Sequence, residues 1–98
     1  MLKVKIKKLY QEVKLPAYAH FDDAGVDLYS LEDKELKPGE RHNFALGFKT
    51  EIPNGYVGLI WDKSGLAQKF GLHHLAGVID SSHRGEWQVI LINLGQAS

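Results

Sequence analysis

Trp87-Gln88-Val89-Ile90-Leu91-Ile92-Asn93 is strongly apolar and is followed by Leu94-Gly95 at an apparent turn, so it reads as a β-strand. Working back from it, the same kind of segment recurs. Phe44, Leu46 and Phe48 alternate with Asn43, Ala45 and Gly47, which predicts a strand between the turn signals Pro38-Gly39 and Pro53-Asn54-Gly55. Tyr56 to Trp61 is mostly apolar and bounded by turns, as expected of a strand buried on both faces. At the other end, Leu2, Val4 and Ile6 alternate with Lys3, Lys5 and Lys7, predicting a half-buried strand over residues 2–8. The lysine row reads as its solvated face rather than a polyanion stripe. Ser64 to Phe70 is the one helical segment: Ser64 can cap it, Leu66 to Lys69 favour helix, and Gly71 can end it in a left-handed conformation. Many short strands separated by turns predict an all-β barrel or sandwich with one short helix.

The 98 residues fit one small domain, 1–98. A chain of this size buries only about 60–65% of its unfolded surface, and without cysteine no disulfide or thiolate metal site adds stability. Association with further copies is the remaining way to bury apolar surface. Twelve Lys+Arg against twelve Asp+Glu give a formal charge of zero, which argues against nucleic acid as a partner. No apolar run approaches the ~20 residues of a membrane span, and the alternating N-terminus is not a signal peptide. The expected location is the cytoplasm.

Three segments carry candidate chemistry. In Ala24-Gly25-Val26-Asp27-Leu28-Tyr29-Ser30, a glycine beside an aspartate suggests close backbone approach with the carboxylate aimed into a cleft, or else a plain strand start. In Asp62-Lys63-Ser64-Gly65-Leu66-Ala67-Gln68-Lys69-Phe70-Gly71-Leu72, a strand feeds Ser-Gly into a helix N-terminus, where free N–H groups suit phosphate. Ser64 adds a hydroxyl, Gly65 admits a ligand close to the backbone and Lys63 adds charge; the plain alternative is that Ser64 only caps the helix. In Ala76-Gly77-Val78-Ile79-Asp80-Ser81-Ser82-His83-Arg84-Gly85-Glu86, an apolar strand delivers Asp80 to a polar turn, where a carboxylate can take a proton from water or hold a sugar hydroxyl. The alternative is a turn whose side chains bond their own backbone. The histidines predict no metal site: His73 and His74 are adjacent and would point to opposite faces of a strand, while His20 and His42 have no partner at ligand spacing.

In this order and spacing the three segments resemble the first three of five motifs of the homotrimeric dUTP diphosphatases, over residues 13–95. The resemblance implies a β-clip fold, a distorted jelly-roll-like barrel that forms a trimer with sites between subunits. It implies Mg²⁺-dependent hydrolysis of dUTP to dUMP and diphosphate by water attack at the α-phosphorus. On that likeness Asp27 holds the metal through water, and Lys63, Ser64 and Gly65 bind phosphate. The Gly77 backbone reads uracil. Asp80 activates the water and touches the deoxyribose, and His83 lies against the sugar.

Three departures accompany the match. Lys63 stands where the family usually has Arg, and His83 where it has Tyr. The fourth motif and the Gly-rich fifth do not occur within these 98 residues. The apolar strand at 87–94 is accordingly expected to lack a partner strand and a C-terminal arm, and the 98 residues alone to have weak activity or none. Two other readings are a dCTP deaminase-like enzyme, disfavoured by Lys63-Ser64-Gly65, and a truncated, non-catalytic nucleotide-binding protein.

Overall fold

The computed structural model describes residues 2–98. It is mostly β with one short helix: β1 (Lys5–Lys8), β2 (Arg41–Ala45), β3 (Phe48–Glu51), β4 (Gly58–Leu59), α1 (Ser64–Phe70), β5 (Leu72–Leu75), β6 (Val78–Ile79) and β7 (Gln88–Asn93). These make three antiparallel pieces, β1-β3, β2-β7-β5 and β4-β6. No closed barrel forms among the described residues.

The apolar 87–93 run yields β7, and the expectation that it lacks a partner strand is not met: it is the central strand of the largest sheet, with β2 on one side and β5 on the other, both from distant parts of the sequence. The strand expected across 43–48 divides into β2 and β3 at Leu46-Gly47. Gly47 has φ +79°, and a Cβ there would lie 2.6 Å from Val13 Cγ2 and 2.7 Å from Leu31 Cδ1, so only glycine allows the chain to turn against those side chains. Hydrogen bonds brace the break. The Leu46 N–H donates to the Trp87 carbonyl (3.0 Å), the Trp87 N–H to the Phe48 carbonyl (2.9 Å), and the Gly47 N–H to Glu86 Oε2 (2.9 Å). Trp87 thereby joins β7 to both halves of the interrupted strand.

The core gathers around this junction: Val13, Leu46, Phe48, Ile52, Ile60, Ile79 and Trp87 are buried together, with Phe48 fully enclosed. The Trp87 indole packs 5.3 Å from the Phe48 ring, and its N–H donates to Thr50 Oγ1 (2.9 Å), pairing two polar atoms that burial would otherwise leave costly. A second anchor is buried Asn93. Its side-chain amide donates to the Leu36 and Ala97 carbonyls (2.8 Å each), while its oxygen accepts from the Gly95 N–H (2.8 Å).

Two expected strands differ from the observed ones. The N-terminal alternation does give β1, but its residues are all exposed, and Leu2, Val4 and Ile6 are uncovered in the single chain. Tyr56 to Trp61 contributes only the two residues of β4. Tyr56, Val57, Leu59 and Trp61 are exposed rather than buried on both faces. In both cases the apolar character is present and the covering surface is not supplied by this chain.

Candidate functional site

The helix forms over Ser64–Phe70 as its composition predicts, and Gly71 closes it in the left-handed conformation (φ 70°). Ser64, however, is the first helical residue and not the cap. Lys63 occupies the cap position, with no side-chain hydrogen bond to the helix. The first helical bond runs from the Ala67 N–H to the Lys63 carbonyl (2.9 Å), so the N–H groups of Ser64, Gly65 and Leu66 precede it at the positive end of the helix. Ser64 and Gly65 are exposed, and a Cβ on Gly65 would meet nothing within 4 Å. Gln68 also faces solvent.

Asp27 is fixed by its backbone, which exchanges both hydrogen bonds with Ala17 in an isolated bridge. Its carboxylate is partly exposed, and Lys63 Nζ approaches Oδ2 at 3.2 Å, so the first and second segments meet. Gly25 makes no close backbone approach, since a Cβ there would meet nothing within 4 Å. The carboxylate is positioned by the Ala17 bridge instead. One solvent-reachable carboxylate cannot cage an ion. It does fit a hard cation that keeps several waters and takes its remaining ligands from a bound phosphate chain, which is how Mg²⁺ is usually held.

The strand that leads into the second segment, β4, pairs with β6 of the third. The Ile60 N–H donates to the Gly77 carbonyl (2.8 Å), extending the pairing Gly58↔Ile79 and Leu59↔Val78. Ala76 (φ 61°) and Gly77 (φ 119°) both have positive φ and swing the chain from β5, in the large sheet, to β6 in the small one. Beside this turn lies a cavity of about 230 Å³ whose lining includes Asn43, Gly77, Ile79, His83 and Glu86. It is smaller than the roughly 300–1,000 Å³ of pockets that enclose drug-sized ligands, a scale suited to part of a nucleotide. Asp80 does not line the cavity; it is exposed and directly follows the lining residue Ile79, on the turn closed by the His83 N–H donating to the Asp80 carbonyl (3.0 Å). No side chain of Asp80, Ser81 or Ser82 closes that turn. The Arg84 guanidinium does so, donating to the carbonyls of Ser81 and His83.

The expectation that the histidines lack partners is overturned. His42 Nε2 lies 2.5 Å from Glu32 Oε1. More consequentially, His73 Nδ1 donates to Asp62 Oδ2 and His74 Nδ1 to Asp62 Oδ1, each at 2.6 Å, and the His74 backbone N–H also donates to Oδ1 (2.7 Å). β5 is an edge strand. The carboxylate caps its open edge in the plane of the sheet, where side chains from both faces can reach it. Burial raises the Asp62 pKa and is the largest single influence. The hydrogen bonds from His73 and His74, with the attraction of the His74 ring, together outweigh it and lower the pKa from 3.8 to about 2. Glu86, like Asp62, is an acidic residue of these segments whose part is to accept a backbone N–H from a distant strand or turn. Its acidic side chain next to Trp87 was the available signal, but the Gly47 N–H it accepts is a long-range partner.

The dUTPase family model matches residues 11–98. The chain belongs to the dUTPase family. It is 50% identical over 94 residues to the deoxyuridine 5′-triphosphate nucleotidohydrolase of Nautilia profundicola, covering 94% of this chain and 66% of that protein. To the protein of the same name from Mycolicibacterium vanbaalenii it is 46% identical over 95 residues, covering 95% of this chain and 62% of the relative. Among solved structures, a mutant dUTPase of Staphylococcus bacteriophage 80alpha with dUpNHpp superposes with a TM-score of 0.88 at 30% identity, covering 96% of this chain and 61% of that one. A mutant dUTPase from phage phi11 of S. aureus, described with a structural Mg(II) ion, gives 0.87 at 30% identity over 95% of this chain and 61% of that one. The chain thus spans about three-fifths to two-thirds of the length of these family members.

Proposed function

We propose that the protein is a cytoplasmic, Mg²⁺-dependent dUTP diphosphatase that acts as a homotrimer, releasing dUMP and diphosphate. The observation that carries this reading is the gathering of the three segments: Lys63 contacts Asp27, Ile60, two residues before the second segment, bonds Gly77, and Gly77 and His83 share one cavity with Asp80 next in sequence to its lining residue Ile79. The Ser64 hydroxyl and the N–H groups at the start of α1 bind phosphate oxygens, with Lys63 adding charge. The Gly77 turn presents backbone groups to uracil, and His83 lies against the deoxyribose. Asp80 orients the attacking water, accepts its proton as the oxygen bonds to the α-phosphorus, and holds the sugar 3′-hydroxyl. When bound beside Asp27, Mg²⁺ supplies charge neutralisation of the phosphate chain. Leu59, Trp61, Phe70 and Val78 are large, exposed and close to these segments, as expected if other copies cover them and the site is completed between subunits.

Incubation with dUTP and with dCTP separates this reading from its rivals. Diphosphate and dUMP from dUTP are expected. Ammonia from dCTP would identify a deaminase, and tight binding of a non-hydrolysable dUTP analogue without turnover would identify a nucleotide-binding protein. Asp80→Asn is expected to keep the fold and most nucleotide binding while lowering turnover by about 10²–10⁴-fold, because an amide cannot take the proton. Retained turnover would remove Asp80 from the role of base.

A further inference from the structure

We infer that Asp62, His73 and His74 form a second metal site, for a borderline divalent cation of the zinc type, distinct from the Mg²⁺ position at Asp27. The ligating atoms are already gathered: one carboxylate oxygen and one ring nitrogen of each histidine lie within 4.8 Å of one another, and both Nδ1 atoms lie 2.6 Å from the carboxylate. Among the described residues, no other three His, Asp or Glu side chains converge in this way. A four-coordinate zinc with bonds of about 2.0–2.1 Å needs ligand atoms roughly 3.3 Å apart. Each Nδ1 therefore has to retreat from its present 2.6 Å by less than about 1 Å, a side-chain adjustment.

The donor set decides the class of ion. Two imidazoles and one carboxylate suit zinc, cobalt, nickel or copper, whereas Mg²⁺ prefers oxygen ligands and remains with the phosphate-bearing site. Three protein ligands leave a coordination position, and the His73 side chain, 46% exposed, leaves it open to water. Each Nδ1 now carries a proton, because an ionised carboxylate only accepts. Entry of the cation displaces the proton from each Nδ1, the ring then binding as a neutral imidazole with its N–H on Nε2, and replaces two hydrogen bonds by two metal–nitrogen bonds. The approach of the three groups is fixed independently of any ion. The His74 backbone N–H holds the carboxylate at the edge of β5, and Gly71 returns the chain from α1 straight into that strand.

The position gives the site its consequence. Asp62 immediately precedes Lys63, Ser64 and Gly65, and His73 and His74 follow α1, so the bound cation ties the two ends of the phosphate-loop segment together. This holds whether or not the protein turns over dUTP.

The test uses metal-stripped full chain in buffer containing excess Mg²⁺, titrated with Zn²⁺ by calorimetry and with Co²⁺ by visible absorption. One Zn²⁺ per chain is expected, with a raised unfolding temperature and the strong visible bands of low-coordinate Co²⁺. His73→Ala and His74→Ala are each expected to weaken binding at least tenfold, while His20→Ala and His42→Ala leave it unchanged. His73 is exposed, so its replacement leaves the fold intact, as circular dichroism will verify. Failure of Zn²⁺ to bind the parent chain, or undiminished binding in the folded His73→Ala protein, would overturn the assignment.

Discussion

The turn at Ala76-Gly77 places two consecutive residues at positive φ, yet only the second is glycine, and this asymmetry makes a sharp prediction. Gly77 sits at φ +119°, a region essentially closed to residues with a Cβ, at a cost of about 1–3 kcal/mol. An added Cβ would also fall 2.9 Å from the Ile60 carbonyl oxygen and 3.1 Å from His74 Cδ2. The first of these is backbone and is held by the β4–β6 pairing, so relief requires the strand to move, at roughly another 1 kcal/mol. Gly77→Ala is therefore expected to destabilise the protein by about 2–4 kcal/mol. Ala76 at φ 61° already carries a left-handed penalty of about 1–2 kcal/mol. Ala76→Gly removes it and gives back about 0.4–1 kcal/mol through the freer unfolded chain, leaving a change between zero and about 1 kcal/mol in favour of folding. The two substitutions should thus differ by about 3 kcal/mol, more than a hundredfold in the unfolding constant. Urea unfolding followed by tryptophan fluorescence, at one fixed protein concentration because association shifts apparent stability, measures both. If Ala76→Gly falls as far as Gly77→Ala, or Gly77→Ala lies within about 0.5 kcal/mol of the parent, the turn is not held by this conformation and the reasoning fails.

Trp87→Phe removes the donor to Thr50 and the indole packed against Phe48, leaving a buried hydroxyl unpaired; a loss of about 2–3 kcal/mol is expected in the same urea assay. Glu86→Ala leaves the Gly47 N–H without its acceptor and should cost about 1–3 kcal/mol, whereas Glu86→Gln keeps an oxygen there and should recover most of it; equal losses would show that the carboxylate does not brace the strand break. Asp62 has its folded pKa lowered from 3.8 to about 2, so it stabilises the fold above pH 4 and that contribution disappears as pH falls toward 2. With chelator present, Asp62→Asn should be less stable than the parent by about 1–2 kcal/mol at pH 6, and the difference should vanish near pH 2. A gap that persists unchanged at low pH would locate the effect in packing rather than charge.

Local features made part of this molecule legible in its sequence. The helix over 64–70 and its Gly71 terminus follow from propensity and from the one residue that tolerates φ 70°, and β7 follows from an apolar run. The three candidate segments stand out in sequence because each concentrates its candidate residues within a few positions. What escaped is what depends on distant partners. The break at Gly47 is set by Val13, Leu31, Glu86 and Trp87, none of them near it in sequence. The convergence of His73 and His74 escaped because opposite faces of a strand are separated only when something covers its edge. Here Asp62 sits at that edge, within reach of both. Exposure of Leu59 and Trp61 follows from the same limit, since apolar character fixes the need for cover and not which chain provides it.

The three segments are held with unequal firmness, and this bears on how a nucleotide could enter. Ile60 bonds Gly77, and Asp62 is bonded by the His74 backbone and both imidazoles, so two rungs, one of backbone and one through a carboxylate, lock the approach to α1 onto the turn beside the cavity. The first segment has no comparable tie. Its link to the loop is the single Lys63–Asp27 contact, with the lysine side chain 62% exposed, a type of pair worth about 0–1 kcal/mol. A triphosphate offers Lys63 several stronger acceptors, and a cation arriving with it offers Asp27 a better partner than one ammonium. On the proposed function, the unliganded Lys63–Asp27 pair is therefore a placeholder that binding separates at little cost. The cavity and the helix N-terminus keep their mutual geometry throughout, because the residues that fix it take no part in the exchange.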